Sequence, residues 1–280
     1  MFRVEAISKL SALPVGLSTS IFPGGEVHVC IDDSQHNHPL TSVRVTAHIR
    51  NPSDQMMLFM LTDAVRRNYG STPIHLRMPY VAYARQDRVC NRGEALAAKV
   101  FCQMINAQGY ESVTIFDPHS DVVPALIDRV VVQDASVAVG KILDRPEYKS
   151  GVTFISPDAG AQKRVMKLAK RFGVDAVLCA DKVRNTKTGA IERISFSDPV
   201  FKKQNPGLVI DDICDGGATF IALSRAVTDQ EIYITTLDLY ISHGIFSKGV
   251  CHVAEHYNHV FAGYNWPGKS NEKLTTIFED

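Results

Sequence analysis

Short apolar runs alternate with amphipathic helical patterns along nearly the whole chain. Strands are predicted at residues 43–48, 74–78, 113–116, 152–155, 176–179, 208–210 and 231–237, and helices at 54–69, 94–107, 136–143, 161–171 and 219–227. Such alternation favours parallel sheets that are covered by helices on both faces. The pattern restarts after a connector at 145–151, which contains Pro146 and Gly151. The sequence therefore predicts an α/β protein built from two consecutive domains.

Composition limits which kinds of binding partner and which cellular compartment are expected for this protein. Thirty basic residues balance thirty acidic ones, so nothing in the charge favours a nucleic acid or a membrane surface as partner. The six cysteines are scattered without a CxxC pair, which favours reduced thiols. The N-terminus lacks an apolar signal core, and no stretch approaches about eighteen apolar residues. We expect a soluble, cytoplasmic protein.

The most informative motif is LVIDDICDGGATFIALS at residues 208–224. Its apolar run predicts a buried strand, its last residues predict a helix, and the turn between them would hold the acids and glycines. Open α/β sheets bind ligands at such carboxyl ends of strands. Glycines let backbone amides approach an anion, whereas the carboxylates are better suited to sugar hydroxyls. The turn predicts a phosphorylated sugar as ligand, with an ordinary acidic turn as the alternative.

Two other junctions carry charged side chains. The segment RQDR at 85–88 offers forked guanidiniums to phosphate oxygens, and its Gln86 and Asp87 can pair with a base or a ribose. The segment FDPHS places His119 after a strand, where it binds a metal or a phosphate or only caps a turn. A solvated charge run is the alternative for RQDR, and a lone histidine that caps a turn is the alternative for FDPHS.

Two further segments, both in the second half of the chain, are candidate parts of a functional site. SPDAG opens a helix with Ala159 and Gly160, whose amides can contact an anion, and Asp158 is placed to hold a hydrated Mg²⁺. DKVRNTKTG at 181–189 is typical of a mobile basic loop that closes over an anionic transition state. An ordinary helix N-terminus and a solvated loop are the respective alternatives.

Together, the order and spacing of these segments resemble the ribose-phosphate diphosphokinases (PRPP synthetases) over most of the chain. The resemblance rests on FPGGE (22–26), YARQDR (83–88), AAK (97–99), FDPHS (116–120), SPDAGAQKRV (156–165), VIDDICDGGAT (209–219) and HGIFS (243–247). It implies that ATP and ribose 5-phosphate give 5-phosphoribosyl 1-diphosphate and AMP, with Mg²⁺ as cofactor. It also implies two tandem type I phosphoribosyltransferase-like domains, each a mainly parallel sheet flanked by helices. We expect residues 1–144, joined by the tail 265–280, on the ATP side, and 145–264 on the ribose 5-phosphate side.

The resemblance also implies a role for individual residues. Ribose 5-phosphate would be bound by Asp211, Asp212, Asp215, Gly216, Gly217, Ala218 and Thr219, and the diphosphate by Asp158, Ala159 and Gly160. ATP would be bound by Arg85, Gln86 and Asp87, with Phe22 and Glu26 holding adenine across a subunit interface of at least a homodimer. The implied catalytic residues are Lys182, Arg184 and His119, and the implied metal ligands are His119 and Asp158.

The chain departs from the family pattern at three places. The family's phosphate loop usually reads D-T-x-G-T, whereas this chain lacks a hydroxyl at Gly216 and has a methyl group at Ala218. Residues 93–96 read GEAL where the family has R-x-P-I, and DVVPALIDRV follows the histidine segment in place of a glutamine- and phenylalanine-rich one. These departures concern regulation and assembly more than catalysis.

Other functions remain to be weighed against this one. A catalytically inactive regulatory homologue is compatible with the altered phosphate loop, and a phosphoribosyltransferase would share the turn at 211–219. His252–Val253–Ala254–Glu255–His256 has the H-x-x-E-H form, whose histidines can share a helical face and bind zinc. A zinc hydrolase would leave most of the chain without a role.

Overall fold

The computed structural model describes residues 2–32, 39–184, 191–196 and 204–278, without the side chains of 182–184, 191 and 192. It divides into two compact units, Met1–Asp134 and Ala135–Asp280. Each unit contains a seven-stranded sheet with helices packed against it. The α/β class predicted from the sequence is confirmed.

In the first unit, the described residues form three helices beside the sheet. Its strands are β1 (Phe2–Ile7), β2 (Ala12–Ile21), β3 (Val27–Asp32), β4 (Ser42–Ala47), β5 (Ile74–Arg77), β6 (Ser112–Phe116) and β7 (Val130–Gln133), and its helices are α1 (Pro52–Tyr69), α2 (Ala97–Asn106) and α3 (Val122–Leu126). The strand order is β3-β2-β1-β4-β5-β6-β7. Strands β4 to β7 are parallel, whereas β1, β2 and β3 extend the sheet in antiparallel fashion. Leu58, Leu61 and Phe101 lie in its apolar core.

Strands β1 to β3 were not predicted from the sequence. Strand β2 is mostly exposed and contains Pro14 and Gly16, which weaken both the alternation of polar and apolar residues and the strand propensity. Pairing on both sides, with β1 and with β3, holds it extended. Tertiary hydrogen bonding therefore formed a strand where the local sequence gave a weak signal.

Helix α2 begins later than the predicted position 94. The carboxylate of Glu94 accepts hydrogen bonds from the backbone N–H groups of Cys90 and Asn91, at 2.9 and 3.0 Å, and so closes a turn before the helix. Val100 is 52% exposed, while Phe101 and Ile105 are buried. The helix therefore packs on the core through Phe101 and Ile105.

The second unit repeats the arrangement with other connections. Its strands are β8 (Thr153–Ser156), β9 (Val177–Arg184), β10 (Ile191–Phe196), β11 (Gly207–Cys214), β12 (Leu237–Gly244), β13 (Val260–Asn265) and β14 (Leu274–Thr276), and its helices are α4 (Ser136–Leu143), α5 (Ala159–Phe172), α6 (Ala218–Asp229) and α7 (Cys251–Ala254). A 3₁₀ turn, Pro146–Tyr148, follows α4. The strand order is β10-β9-β8-β11-β12-β13-β14, and β10 alone among these described strands is antiparallel to its neighbour.

The strand predicted at 231–237 is wrong. Glu231 has a φ of 50°, and the N–H of Ile232 bonds to the carbonyl of Val227, so the chain turns there. Strand β12 begins at Leu237, where its parallel pairing with Gly207 of β11 starts. The apolar residues before it lie in the connection from α6.

Helix α4 belongs to the second unit, which places the division ten residues ahead of the expected one at 144/145. A Cβ at Gly140 would lie 3.6 Å from the ring of Phe172, so α4 packs closely against the end of α5. Lys141 lies over the ring of Phe278 at 4.8 Å. The connector predicted at 145–151 follows this helix rather than separating the units.

The C-terminal tail is also part of the second unit, which corrects the expectation that 265–280 joins the first. Strand β14 pairs in parallel with β13, with Leu274 opposite Val260. The rings of Tyr264 and Phe278 stack with their centroids 5.2 Å apart. Strand pairing and ring packing hold the described part of the tail on the second sheet.

All six cysteines are free thiols. Within the part of the chain that the structure describes, no helix combines the length and apolarity that crossing a bilayer requires.

Candidate active site

Asp211 and Asp212 lie on strand β11 rather than in the turn after it. The parallel pairing of β11 with β12 continues as far as Cys214 and Gly244, and it keeps the backbone extended past both acids. The predicted strand ended at 210 because carboxylates are rare in strands. Both acids therefore have fixed backbone positions near the carboxyl end of a central strand.

Arg164, on helix α5, reaches both of these acids. Its Nη1 lies 3.5 Å from Oδ1 of Asp212 and 3.6 Å from Oδ1 of Asp211. Burial raises the pKa of Asp211 well above its usual value, the charge of Asp212 raises it further, and Arg164 opposes the rise. The backbone N–H of Asp212 also donates to Oδ1 of Asp211 at 2.9 Å. The site is thus a compact group of two carboxylates and one guanidinium.

Sequence reasoning assigned no role to Arg164, although a signal was present. Ala161, Val165 and Leu168 form the buried face of α5, and Arg164 falls between them at helical spacing. A charged residue among core positions of a helix needs a partner, because an unpaired charge is costly to bury. The two acids of the neighbouring strand are that partner.

The turn after β11 has a left-handed residue at its centre. Gly217, the N-cap of α6, has a φ of 78°, and a Cβ there would lie 2.3 Å from Cγ2 of Val253. Only glycine fits both conditions without a shift of its neighbours. The helix then begins at Ala218, so the N–H groups of its first turn are directed toward the end of the sheet.

This turn is held from a second side by the segment that follows β12. The N–H of Phe246 donates to the carbonyl of Cys214 at 3.0 Å, and the N–H of Ser247 donates to that of Asp215 at 3.1 Å. The hydroxyl of Tyr257 donates to the carbonyl of Phe220 at 2.8 Å. The structure therefore brings the predicted ribose-phosphate residues together, all within or beside one anchored turn: Asp211, Asp212, Asp215, Gly216, Gly217, Ala218 and Thr219.

The predicted diphosphate loop lies at the same edge of the second sheet. Strand β8 is parallel to β11 and adjacent to it, with Thr153 opposite Gly207. Asp158 is the N-cap of α5, and its Oδ1 accepts a hydrogen bond from the N–H of Ala161 at 3.1 Å. Ala159 and Gly160, both exposed, form the first turn of that helix. Two helix N-termini thus follow two neighbouring parallel strands.

Lys182 and Arg184 lie on β9, so the predicted loop at 181–189 begins later than expected. Their backbones pair with Ile194 and Ile191 of β10. Their side chains and residues 185–190 lie outside the described residues. Strand β9 is parallel to β8 and next to it, which puts this hairpin beside the diphosphate loop in the sheet order.

In the first unit, the RQDR segment belongs to an irregular turn after β5. Tyr83 has a φ of 64°, and the N–H of Gln86 donates to its carbonyl at 2.9 Å. The carbonyl of Gln86 in turn accepts from the N–H of Ala98, at the start of α2. Arg85 and Gln86 are exposed and Asp87 is half-buried. The segment is fixed by its backbone and leaves these side chains near solvent.

His119 follows the neighbouring strand β6 and is exposed. Asp117, two residues before it, is buried with a φ of 36°, and its N–H donates to the carbonyl of Gln133 at 2.8 Å. Strand β6 is parallel to β5. The RQDR and FDPHS segments consequently follow two neighbouring parallel strands of the first sheet.

Phe22 and Glu26 close the hairpin between β2 and β3. The N–H of Phe22 donates to the carbonyl of Glu26 at 2.8 Å, and the Phe22 ring meets His28 edge-on with centroids 5.8 Å apart. Phe22 is 52% exposed. An aromatic ring held outward at a hairpin tip is available for contact with another molecule.

The zinc alternative receives no support from the residues that the structure covers. Helix α7 ends at Ala254, so Glu255 and His256 lie beyond it and the two histidines do not share a helical face. Among the described residues, no group of three or more histidine, cysteine and acidic side chains is arranged to hold a metal ion. His119 and Asp158 remain predicted metal ligands.

Comparison with known proteins identifies relatives of this chain. A family model described as the N-terminal domain of ribose phosphate pyrophosphokinase matches residues 4–109. Ribose-phosphate pyrophosphokinase of Mesorhizobium japonicum is 30% identical over 249 residues, which cover 88% of this chain and 77% of that protein. The enzyme of the same name from Rhizobium meliloti is 31% identical over 251 residues, with 88% and 77% covered.

A solved structure agrees with the fold. The crystal structure of phosphoribosylpyrophosphate synthetase from Mycobacterium smegmatis superposes with a TM-score of 0.76 and 20% sequence identity, covering 94% of this chain and 86% of that one. The fold is therefore shared over both units.

Proposed function

Because this chain belongs to the ribose-phosphate pyrophosphokinase family, we propose that it transfers the β,γ-diphosphoryl group of ATP to the C1 hydroxyl of ribose 5-phosphate. The products are 5-phosphoribosyl 1-diphosphate and AMP. The family and the enzyme class predicted from the sequence are confirmed. The roles of individual residues, the metal and the assembly are proposals.

One observation carries the proposal for the acceptor side. Two acids on β11, an anchored glycine turn and a second helix N-terminus after β8 lie at one edge of one sheet. Carboxylates accept hydrogen bonds from ribose hydroxyls, and helix N-termini favour phosphate groups. The product, 5-phosphoribosyl 1-diphosphate, has two ring hydroxyls between its 5-phosphate and its 1-diphosphate. These groups match the two carboxylates and the two helix N-termini at this edge of the sheet.

The reaction forms one bond and breaks one. The C1 oxygen bonds to the β-phosphorus of ATP, the bond from that phosphorus to the α,β-bridging oxygen breaks, AMP leaves, and the hydroxyl proton passes to solvent. Positioning and charge neutralisation dominate such phosphoryl-type transfers. Asp211 and Asp212 orient the ribose, the turn 215–219 holds its 5-phosphate, and Asp158, Ala159 and Gly160 hold the diphosphate.

The donor side is proposed on the first unit. Arg85, Gln86 and Asp87 bind ATP, and Phe22 and Glu26 hold the adenine of a neighbouring subunit, which requires at least a homodimer. Lys182, Arg184 and His119 stabilise the charge of the transferring group. The six free thiols support a cytoplasmic location.

Asp158 fits a hydrated Mg²⁺. An ionised carboxylate has about four lone-pair sites, and Oδ1 of Asp158 uses one of them to accept the hydrogen bond from the N–H of Ala161. His119 is exposed after β6 and is the other proposed ligand. Magnesium usually keeps several waters and takes one or two protein ligands. When bound, it would neutralise charge on the phosphates; the protein residues bind and orient the two substrates.

Purified protein, ATP, Mg²⁺ and ribose 5-phosphate should yield AMP in step with the phosphoribosyl product. Lys182→Ala should lower kcat by about 100-fold or more with little change in ATP binding, because a cation acting in the transition state affects turnover most. Absence of AMP from the wild-type protein contradicts the proposal and favours an inactive regulatory homologue. Release of diphosphate only when a nucleobase is present indicates a phosphoribosyltransferase instead.

A further inference from the structure

Lys248 lies over the glycine turn that opens α6. A Cβ built on Gly216 would be 3.7 Å from Cε and 3.8 Å from Cδ of Lys248, which is ordinary van der Waals distance. The methylene groups of the lysine therefore cover the face of the turn at the position where Gly216 has no side chain. The contact brings the end of a cationic side chain to the turn 215–219.

The backbone around Lys248 fixes this placement. The N–H of the preceding residue, Ser247, donates to the carbonyl of Asp215 at 3.1 Å. The N–H of the following residue, Gly249, donates to the carbonyl of Phe246 at 2.9 Å, and Phe246 itself is fully buried. Lys248 is thus held between two hydrogen bonds, one of which joins its segment directly to the turn.

The ammonium group of Lys248 is not engaged elsewhere in the described part of the chain. The residue is exposed, and it makes no hydrogen bond or ion pair among the residues that the structure covers. The strand and turn that precede α6 are acidic, with Asp211 and Asp212 on β11 and Asp215 in the turn after it. A phosphate ester is close to a dianion at neutral pH. Its binding beside these carboxylates requires positive charge in addition to backbone N–H groups.

We propose that Lys248 is a specificity-determining residue of the ribose 5-phosphate site, whose ammonium binds the 5-phosphate held by the turn 215–219. The cation supplies what Gly216 does not, since that residue offers the phosphate no hydroxyl. This inference rests on the proposed function, because the site is defined by the sugar phosphate that the reaction uses.

The test compares Lys248→Met with the wild-type protein. Methionine keeps an unbranched apolar side chain against Gly216 and removes the charge. The concentration of ribose 5-phosphate giving half-maximal AMP formation should rise by about 10- to 100-fold, the usual effect of losing a charge-assisted hydrogen bond. The KM for ATP and kcat should change by less than about 3-fold, because Lys248 is expected to bind the 5-phosphate equally well in the ground state and in the transition state. Lys248→Arg should restore most of the affinity.

Two controls distinguish the loss of the Lys248 charge from a structural effect of the substitution. Lys170→Met removes an equally exposed lysine from the last turn of α5, at the opposite end of that helix from Asp158, and should leave all constants unchanged. Binding of D-ribose, which lacks the phosphate, should be the same in wild type and Lys248→Met by calorimetry. An equal loss of D-ribose binding would assign Lys248 a structural role and overturn the inference.

The outcomes also distinguish the two proposals. Wild-type AMP formation together with an unchanged ribose 5-phosphate constant in Lys248→Met overturns the inference and leaves the function standing. If the wild-type protein forms no AMP, calorimetry with ribose 5-phosphate still tests Lys248: weaker binding by Lys248→Met supports the inference while the function fails. No binding of ribose 5-phosphate by the wild-type protein overturns both.

Discussion

Arg164 on α5 and Asp212 on β11 face each other with Nη1 and Oδ1 3.5 Å apart, and both side chains are largely buried. The pair joins α5, which begins at the proposed diphosphate loop, to the strand that carries the two acids proposed to bind ribose. A cation at this distance lowers the energy of two neighbouring carboxylates that would otherwise repel each other. Arg164 thereby connects the two parts of the proposed acceptor site.

Replacing Arg164 should weaken ribose 5-phosphate binding in a pH-dependent way. Arg164→Gln removes the charge that opposes the raised pKa of Asp211, so that pKa should rise further. We expect the KM for ribose 5-phosphate to increase about 10-fold or more near pH 7 and less at higher pH, where Asp211 ionises again. Steady-state kinetics between pH 6 and 9 measures this. Arg225→Gln, an exposed position on α6, is the matched control and should show neither change; a pH-independent loss in Arg164→Gln would contradict the electrostatic role.

Asp211→Asn should make the protein more stable while it weakens sugar binding. Burial and Asp212 raise the pKa of Asp211, so its contribution to stability is fully present below the unfolded value of about 3.9 and is lost as the pH rises toward the folded value. Asparagine does not ionise, and the variant should gain about 1 kcal/mol at pH 7, or about 2–4 °C in Tm. The gain should vanish near pH 4.

Thermal unfolding of Asp211→Asn and wild type across that pH range provides the measurement. Asp144→Asn is the control, because its partner Lys149 lies 3.1 Å away at an exposed site and such pairs contribute little. A lower Tm for Asp211→Asn at pH 7 would mean that the ion pair with Arg164 outweighs burial.

Gly216 and Gly217, adjacent in the turn 215–219, should differ strongly in how well they tolerate substitution by alanine. Gly217→Ala requires a φ of 78° for alanine and a Cβ 2.3 Å from Val253, which should cost about 2–4 kcal/mol. Gly216→Ala meets only Lys248, at 3.7 Å, and should cost less than about 1 kcal/mol. Urea unfolding of both variants tests the difference, and equal midpoints would show that the turn has another conformation in solution.

Glu94 should order the turn between the RQDR segment and α2. Its carboxylate accepts hydrogen bonds from the side-chain amide and the backbone N–H of Asn91 and from the N–H of Cys90, and these bonds lower its pKa. The ordering should therefore persist above the unfolded pKa of about 4.3 and weaken as the pH falls through the lower folded value. Glu94→Ala should speed hydrogen exchange at the Cys90 and Asn91 amides at pH 7.

Glu111→Ala, at an exposed position in the same unit, is the control for that exchange experiment and should leave both amides unchanged. We also expect Glu94→Ala to raise the KM for ATP by about 2- to 10-fold, since a more mobile loop pays more entropy on binding. Unchanged exchange at Cys90 and Asn91 would contradict the ordering role.

The local sequence identified the elements with strong periodicity. Helix α4 was predicted with the same bounds, and α1, α5 and α6 within three residues at each end, because a helix is stabilised by neighbours in sequence. The turns at 156–160 and 215–219 were also predicted correctly as the starts of α5 and α6, because glycines and small residues follow a short apolar run there. Resemblance to a family then supplied the chemistry that motifs alone left open.

Contacts between residues far apart in sequence decided the rest. Strands β1 to β3, the extension of β11 past Asp211 and Asp212, and the place of the tail beside β13 all depend on pairing with strands whose position no local pattern reveals. The partners of Arg164 and the position of Lys248 over Gly216 are likewise set by packing. A sequence encodes which side chains are present. A buried ion pair or a sheet register exists only once folding has brought the two partner residues or strands into contact.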